Sequence, residues 1–199
     1  LNYVRFLSVL ALGLLPEAYS DESNPSLFFV ETFDGEDDVF ASGKWKKSSD
    51  EKYANQAVMI KGSGKAAKGF HDDKGLSLTQ DMQFYGVSAE FPEMLNVKGK
   101  DLVVQYDLKL EEGLSCGGAY IKLPRAADAG DLAELTNETP YTIMFGPDRC
   151  GTANDKVHVI LQHQNPLTNE WEEKHVKKTP TIFVDSSTHL YTLLVRSDN

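Results

Sequence analysis

Several common features are scarce or absent in this sequence. It contains only two cysteines among 199 residues, Cys116 and Cys150, so any disulfide within the chain must join these two. It has no excess of basic residues, since the formal net charge is −10, which argues against nucleic acid and anionic membrane surfaces as partners. The apolar run at residues 6–15 is also too short for a transmembrane helix, which needs roughly 20 such residues.

Residue spacings typical of metal and phosphate sites are missing as well. The acidic residues at 34–38 lack the glycine and glutamate positions of an EF-hand loop, so they are interpreted as a solvated turn. The segment GSGK at 62–65 lacks the first glycine of a phosphate-binding loop and predicts a glycine turn. Five histidines occur without the spacing that holds zinc, which argues against a zinc site.

The first 20 residues have the order of a secretory signal peptide. Arg5 precedes the apolar run at residues 6–15, and Pro16 and the small residues Ala18 and Ser20 follow it. A buried core helix is the alternative interpretation, and Pro16 argues against it. We therefore predict cleavage near Ser20 and an oxidising environment in which the two cysteines pair. Closing the loop between them would contribute about 3–4 kcal/mol to stability.

Short β-like runs separated by turn residues fill the rest of the chain. No segment of ten or more residues after the first 20 shows a helical pattern. Residues 102–110 alternate apolar and polar side chains, and residues 157–161 repeat the pattern. Many short strands without helices predict an all-β antiparallel sandwich. The predicted strands are residues 27–33, 44–49, 58–60, 76–78, 87–91, 102–110, 120–123, 141–145, 157–162, 181–184 and 190–195.

Two segments hold the cysteines and most of the functional information. They read SCGGAYIKL at residues 115–123 and YTIMFGPDRCG at residues 141–151. Alternation along a strand places Tyr120 and Lys122 on one face beside two glycines, while the opposite face is apolar and suits a core. An aromatic ring beside a polar donor is a common way to hold a sugar. An ordinary solvated strand face is the alternative interpretation.

These two segments resemble the paired sequence motifs of the calnexin and calreticulin family of endoplasmic reticulum chaperones. The resemblance extends from about Phe28 to the last residue, and Pro124 departs from the apolar residue usual in the family. It implies a legume-lectin-like jelly roll, with residues 1–20 as signal peptide and residues 21–199 as the N-terminal part of the lectin domain, ending before a proline-rich arm. Further similar segments are ETFD at 31–34, DKGL at 73–76, LVVQY at 102–106 and THLYTL at 188–193, with NP at 165–166 and EEKH at 172–175 closer to the calnexin branch.

The resemblance also implies a function and a set of site residues. It implies a calcium-dependent lectin chaperone, not an enzyme, that binds monoglucosylated N-glycans on newly made, unfolded glycoproteins. The location would be the lumenal side of the endoplasmic reticulum, with a membrane anchor if the protein is of the calnexin type. A protein disulfide isomerase would be a partner through the arm. Carried over residue by residue, the carbohydrate site comprises Tyr120, Lys122, Tyr141, Met144 and Glu173.

Two further sites are expected from the sequence. By resemblance, a calcium ion would be held by the carbonyl of Thr32 and by Asp73, with a third protein ligand beyond Asn199. Oxygen ligands of this kind suit a hard cation. Asn137 begins the only glycosylation sequon of the chain, between the two motifs.

Two rival functions are open to test. A sandwich glycoside hydrolase would need two carboxylates on one strand face, for which Glu170 and Glu172 have the right parity. However, the third carboxylate and the apolar interleaving of the usual hydrolase motif are absent. A calcium-buffering protein without sugar specificity would need dense acidic tracts, which this sequence lacks.

Overall fold

The computed structural model describes residues 4–15, 26–35, 38–62, 74–152 and 154–198. Among these residues the regular structure is thirteen strands and two short 3₁₀ helices, Glu51–Tyr53 and Leu132–Glu134. None of the helices in these ranges is long and apolar enough to cross a membrane. The strands are β1 (Val4–Leu15), β2 (Ser26–Phe29), β3 (Trp45–Lys47), β4 (Val58–Gly62), β5 (Lys74–Leu78), β6 (Val87–Ala89), β7 (Asp101–Leu110), β8 (Cys116–Gly118), β9 (Ile121–Pro124), β10 (Tyr141–Cys150), β11 (Asn154–Gln164), β12 (Trp171–His175) and β13 (Thr188–Val195).

The strands form two main antiparallel sheets that pack face to face. The first sheet has the order β13-β7-β1-β5-β4, with β2 paired to β1. The second sheet has the order β12-β11-β10, and β10 pairs on its other side with both β8 and β9. A small ribbon of β3 and β6 lies outside these two sheets. This architecture confirms the predicted all-β antiparallel sandwich, whereas the jelly-roll connectivity stays a prediction.

The core lies between β7 and β13 of one sheet and β9, β10 and β11 of the other. The alternation read from residues 102–110 is confirmed, because Leu102, Val104 and Leu108 are almost completely buried there. Tyr106 on the same face stacks on Tyr191. Burying one large apolar side chain contributes roughly 1.5–3 kcal/mol, so these alternating positions hold the two sheets together.

Two strand predictions were wrong in detail. Residues 181–184 form no strand, although Ile182 is buried against the core as a single anchor from a loop. The β-like run at 27–33 ends as a strand at Phe29, and Phe33 has a left-handed backbone with φ of 60°. A left-handed residue cannot continue a pleated strand, so the predicted strand could not have extended through Phe33.

The N-terminal segment pairs as strand β1 with β7, β5 and β2. Residues 16–25, which contain the predicted cleavage site, lie outside the described residues. Strand pairing does not test whether a segment is removed after secretion. The signal peptide at residues 1–20 and the domain boundaries derived from it therefore stay predictions.

Candidate functional site

A disulfide fixes one end of the second sheet. Cys116 on β8 and Cys150 on β10 are directly opposite in the antiparallel register, and their sulfur atoms are bonded. The predicted pairing is confirmed. The bond ties β8 to the far end of β10, so the segment that follows β8 is held beside the middle of β10.

The side of the second sheet that faces away from the core is called the outer face here. Its central row is defined by strand register, because Lys122, Met144, Ile160 and His175 lie side by side on β9, β10, β11 and β12. Met144 and Ile160 are buried and pack against each other. The row therefore offers an apolar floor between an ammonium group and an imidazole ring.

Tyr141 joins this face through an irregularity in β10. It lies three residues before Met144, and strict alternation would send the two side chains to opposite sides of the sheet. The pairing of β10 with β9 shifts register between Tyr141 and Ile143, as a β-bulge does. As a result Tyr141 packs with Met144 and Ile160 in one small buried cluster.

Glu173 on β12 is the main hydrogen-bond acceptor of the outer face. Its Oε1 accepts from the Tyr141 hydroxyl at 2.6 Å and from Gln162 Nε2 at 3.2 Å, while His175 Nε2 lies 3.1 Å from its Oε2. The bond from Tyr141, followed by that from Gln162, lowers the pKa of Glu173. Burial and the bond to Glu173 raise the pKa of Tyr141 to about 12. Tyr141 therefore keeps its proton and Glu173 stays ionised at neutral pH.

Lys122 connects this cluster to the loop before β10. Its Nζ lies 4.9 Å from the centre of the Tyr141 ring and donates a hydrogen bond of 2.9 Å to the backbone oxygen of Asn137. Burial lowers the pKa of Lys122, whereas Glu138 and Glu173 act in the opposite direction. An ammonium has three donors, so Lys122 retains capacity for another oxygen acceptor.

Tyr120 stands at the disulfide end of the outer face. It is 37% exposed, and its ring lies directly over Gly118, where an added Cβ would come within 2.3 Å of a ring carbon. The space above this glycine is therefore filled by Tyr120 itself. The ring also makes an edge contact with His158, whose Nε2 lies 2.8 Å from Asp148 Oδ2. Asp148 and His158 were not among the predicted site residues, although their even numbers match those of Met144 and Ile160.

The opposite end of the outer face has a polar chain that no sequence motif indicated. Arg125 donates to Asp128 and to the Gln162 side-chain oxygen, both at 2.9 Å, and its guanidinium lies 3.4 Å from the centre of the Trp171 ring. Because a guanidinium can only donate, it turns the Gln162 oxygen toward itself and the Gln162 NH₂ toward Glu173. Arg125 therefore sets the orientation of the group that holds Glu173.

The predicted calcium ligands are only partly within the described residues. Thr32 is described, whereas Asp73 is not. Asp34 Oδ1 accepts a hydrogen bond of 3.0 Å from the backbone nitrogen of Lys74, which brings the start of β5 to the loop that contains Thr32. This proximity fits a cation shared between the two segments, and the donors are the oxygens that calcium prefers. Within the described ranges no group of three or more His, Cys, Asp or Glu side chains could hold a metal by itself.

The carboxylates of the hydrolase hypothesis do not share the outer face with the predicted sugar site. Glu172 alternates with Trp171 and Glu173 along β12, so it lies on the other side of the strand. There it accepts from the Asn165 amide at 2.7 Å and pairs with Lys174. Around its apolar cluster the outer face thus places the rings of Tyr120 and Tyr141, the Lys122 ammonium as donor and the Glu173 carboxylate as acceptor. Such a surface can bind a ring that has an apolar side and a rim of hydroxyl groups.

Residues 29–199 and longer parts of the chain match known proteins of one family. The model of the calreticulin family matches residues 29–199. The chain is 39% identical over 181 residues to a calnexin homolog of Glycine max, covering 90% of this chain and 31% of that protein. It is 47% identical over 130 residues to a calnexin homolog of Aspergillus fumigatus, covering 65% and 23% respectively. The chain spans about a third of the length of such relatives.

A solved structure agrees with these sequence matches. The globular domain of Trypanosoma cruzi calreticulin superposes with a TM-score of 0.66 at 36% identity, covering 82% of this chain and 58% of that one. The family match over most of the chain, the shared fold and the disulfide between the two motifs agree with one another. The chain therefore belongs to the calnexin and calreticulin family.

Proposed function

We propose that the outer face binds the terminal glucose of monoglucosylated N-glycans on newly made, unfolded glycoproteins. The protein would then act as a lectin chaperone of the endoplasmic reticulum that binds and releases its clients without catalysis. The observation that carries the proposal is the cluster of Tyr141, Met144 and Ile160 with Lys122 and Glu173 at its edges. Membership of the calnexin and calreticulin family supports it.

The chemistry of a pyranose matches this cluster. Its C–H side would lie against the exposed part of the Tyr120 ring, over the buried cluster of Met144 and Ile160. Its hydroxyl rim would receive a hydrogen bond from Lys122 and donate one to Glu173. Because the disulfide and the polar chain through Gln162 already fix these groups, little ordering would accompany binding, which favours affinity.

Calcium would act at a distance from the sugar. The Thr32 carbonyl and Asp73 would hold the ion, with a further ligand from sequence beyond this chain. The ion would supply positive charge that joins the loop after β2 to the segment before β5 and so stabilises the sandwich. Interaction with a protein disulfide isomerase would likewise depend on sequence outside this chain.

A binding assay with the complete protein tests the proposal. We expect monoglucosylated high-mannose oligosaccharide to bind in calcium-containing solution, while the same oligosaccharide without glucose binds much more weakly. Lys122→Ala and Tyr120→Ala should each abolish measurable binding and leave the far-UV spectrum unchanged. Lys98→Ala, an exposed lysine between β6 and β7, is the matched control and should bind normally. Equal binding of the glucosylated and unglucosylated oligosaccharides would contradict the proposal.

A further inference from the structure

The only glycosylation sequon of the chain lies in an exposed turn. Thr139 N donates to the Thr136 carbonyl at 3.3 Å, which closes a turn with Asn137 and Glu138 at its centre. The hydroxyls of Thr136 and Thr139 each accept a hydrogen bond from a backbone N–H within the turn. The Asn137 side chain is exposed, as an acceptor of an N-linked glycan must be.

This turn is in direct contact with the proposed sugar site. The backbone oxygen of Asn137 accepts the hydrogen bond from Lys122 Nζ at 2.9 Å, and the same ammonium lies over the Tyr141 ring. The Asn137 side-chain oxygen accepts from Lys52 Nζ at 2.8 Å, and the amide nitrogen donates to Glu138. A sugar attached to that nitrogen would therefore start at the rim of the site, on the same residue whose backbone oxygen holds Lys122.

An attached glycan would affect this site by its bulk and by its chemistry. N-linked glycans are large and hydrated, and their first sugar is fixed by a covalent bond. Tethering so close to Lys122 gives the glycan a high effective concentration over the outer face. An oligosaccharide arriving from another protein would have to displace it.

We propose that an N-glycan on Asn137 closes the outer face, so that glycosylation at this residue switches the sugar site off. This inference rests on the proposed function, because it names a means of regulating the same site. The unmodified form would be the one that binds clients. The modification would leave the disulfide and the buried cluster of Tyr141, Met144 and Ile160 unchanged.

The test compares glycoforms of the same polypeptide. The complete protein is produced in a eukaryotic secretory host, and the form modified at Asn137 is identified by mass spectrometry of its peptides. Its affinity for monoglucosylated oligosaccharide is measured before and after an endoglycosidase trims the glycan to one N-acetylglucosamine. Asn137→Asp keeps an oxygen acceptor for Lys52 but cannot be glycosylated, whereas Thr139→Ser keeps both the hydroxyl and the sequon.

We expect the intact glycoform, and that of Thr139→Ser, to bind at least about 10-fold more weakly than Asn137→Asp, with trimming restoring most of the difference. The inference is overturned if the intact glycoform binds as tightly as Asn137→Asp, or if Asn137 is found unmodified in every preparation. Failure of Asn137→Asp itself to bind would contradict the proposed function, and the inference with it. The trimming step separates an effect of the glycan from an effect of misfolding, because the amino-acid sequence does not change.

Discussion

The two faces of strand β10 differ in what covers their apolar side chains. On the inner face, Ile143 and Phe145 pack against β7 of the other sheet. On the outer face, Met144 packs in a separate small cluster with Tyr141 and Ile160. Apolar groups in the main core stabilise the fold, whereas the small outer-face cluster lies beside Lys122 and Glu173, the polar groups of the proposed sugar site. Residues 143–145 therefore divide between the two faces: Ile143 and Phe145 belong to the core, and Met144 belongs to the proposed binding face.

The largest expected effect is on stability and comes from the inner face. Phe145→Ala should lower the free energy of unfolding by about 3–5 kcal/mol, because the ring fills space between the two sheets. Met144→Ala should cost less, about 1.5–3 kcal/mol, because Met144 packs in a small separate cluster and not in the main core. Denaturant unfolding of the complete protein measures both values. Equal losses for the two variants would contradict the distinction between the faces.

The next effect is on binding and comes from β12. Glu173→Gln should weaken binding of the glucosylated oligosaccharide by about 10- to 100-fold, because a hydrogen bond to a charged group contributes roughly 1.5–3 kcal/mol. Glu172→Gln is the matched control on the other side of the same strand and should bind normally. Calorimetric titration measures both affinities. If Glu172→Gln were the variant that lost function, the hydrolase hypothesis would regain support.

The smallest effect is a shift in pH dependence. Ionised Glu173 accepts through both oxygens, whereas protonation removes its charge and turns one oxygen into a donor. The lowered pKa of Glu173 keeps the carboxylate ionised as pH falls, so binding should weaken only once pH drops through the pKa of Glu173 in the folded protein. Gln162→Leu removes one donor to Glu173 and should raise that pKa, moving the acid loss of binding to higher pH. The titratable side chains of Tyr141, His175 and Lys122 near Glu173 are unchanged in this variant.

Arg125→Lys tests the next residue in the hydrogen-bond chain, which runs from Arg125 through Gln162 to Glu173. Lysine keeps the positive charge but not the planar fork that stacks on Trp171 while it orients Gln162. We expect an upward shift of the same sign as in Gln162→Leu and smaller in size. Arg149→Lys, on β10 away from Gln162, is the matched control. An unchanged pH profile for Arg125→Lys would show that Gln162 is oriented without it.

The sequence predicted features that depend on neighbouring residues better than features that depend on contacts between distant residues. The alternation of residues 102–110 and 157–161 is local, and it predicted both core strands. The disulfide was also predictable from the sequence, because two cysteines allow only one pairing within the chain. Residues 181–184 contain the apolar residues Ile182, Phe183 and Val184, which predict a strand. In the structure a loop buries Ile182 without any strand pairing. Short apolar runs therefore predict burial better than strand pairing.

The candidate site was less accessible to prediction from the residues alone. Alternation would assign Tyr141 to the core, and only the register shift with β9 brings it beside Met144. Only the resemblance to a known family predicted that Tyr141 belongs to the sugar site. The contact of Arg125 with Gln162 joins positions 37 residues apart, and neither residue type in isolation indicates it. Such contacts depend on tertiary structure that local spacing does not encode.

The most direct test of an outer-face sugar site uses the methionines. This chain has four, Met59, Met82, Met94 and Met144, and the first three are exposed and lie outside the outer face. In protein with isotope-labelled methionine methyl groups, glucose-capped oligosaccharide should shift the Met144 signal and leave the other three in place, with Met144→Leu identifying the signal. Binding of the oligosaccharide with the Met144 signal unmoved would contradict the assignment of the outer face as the sugar site.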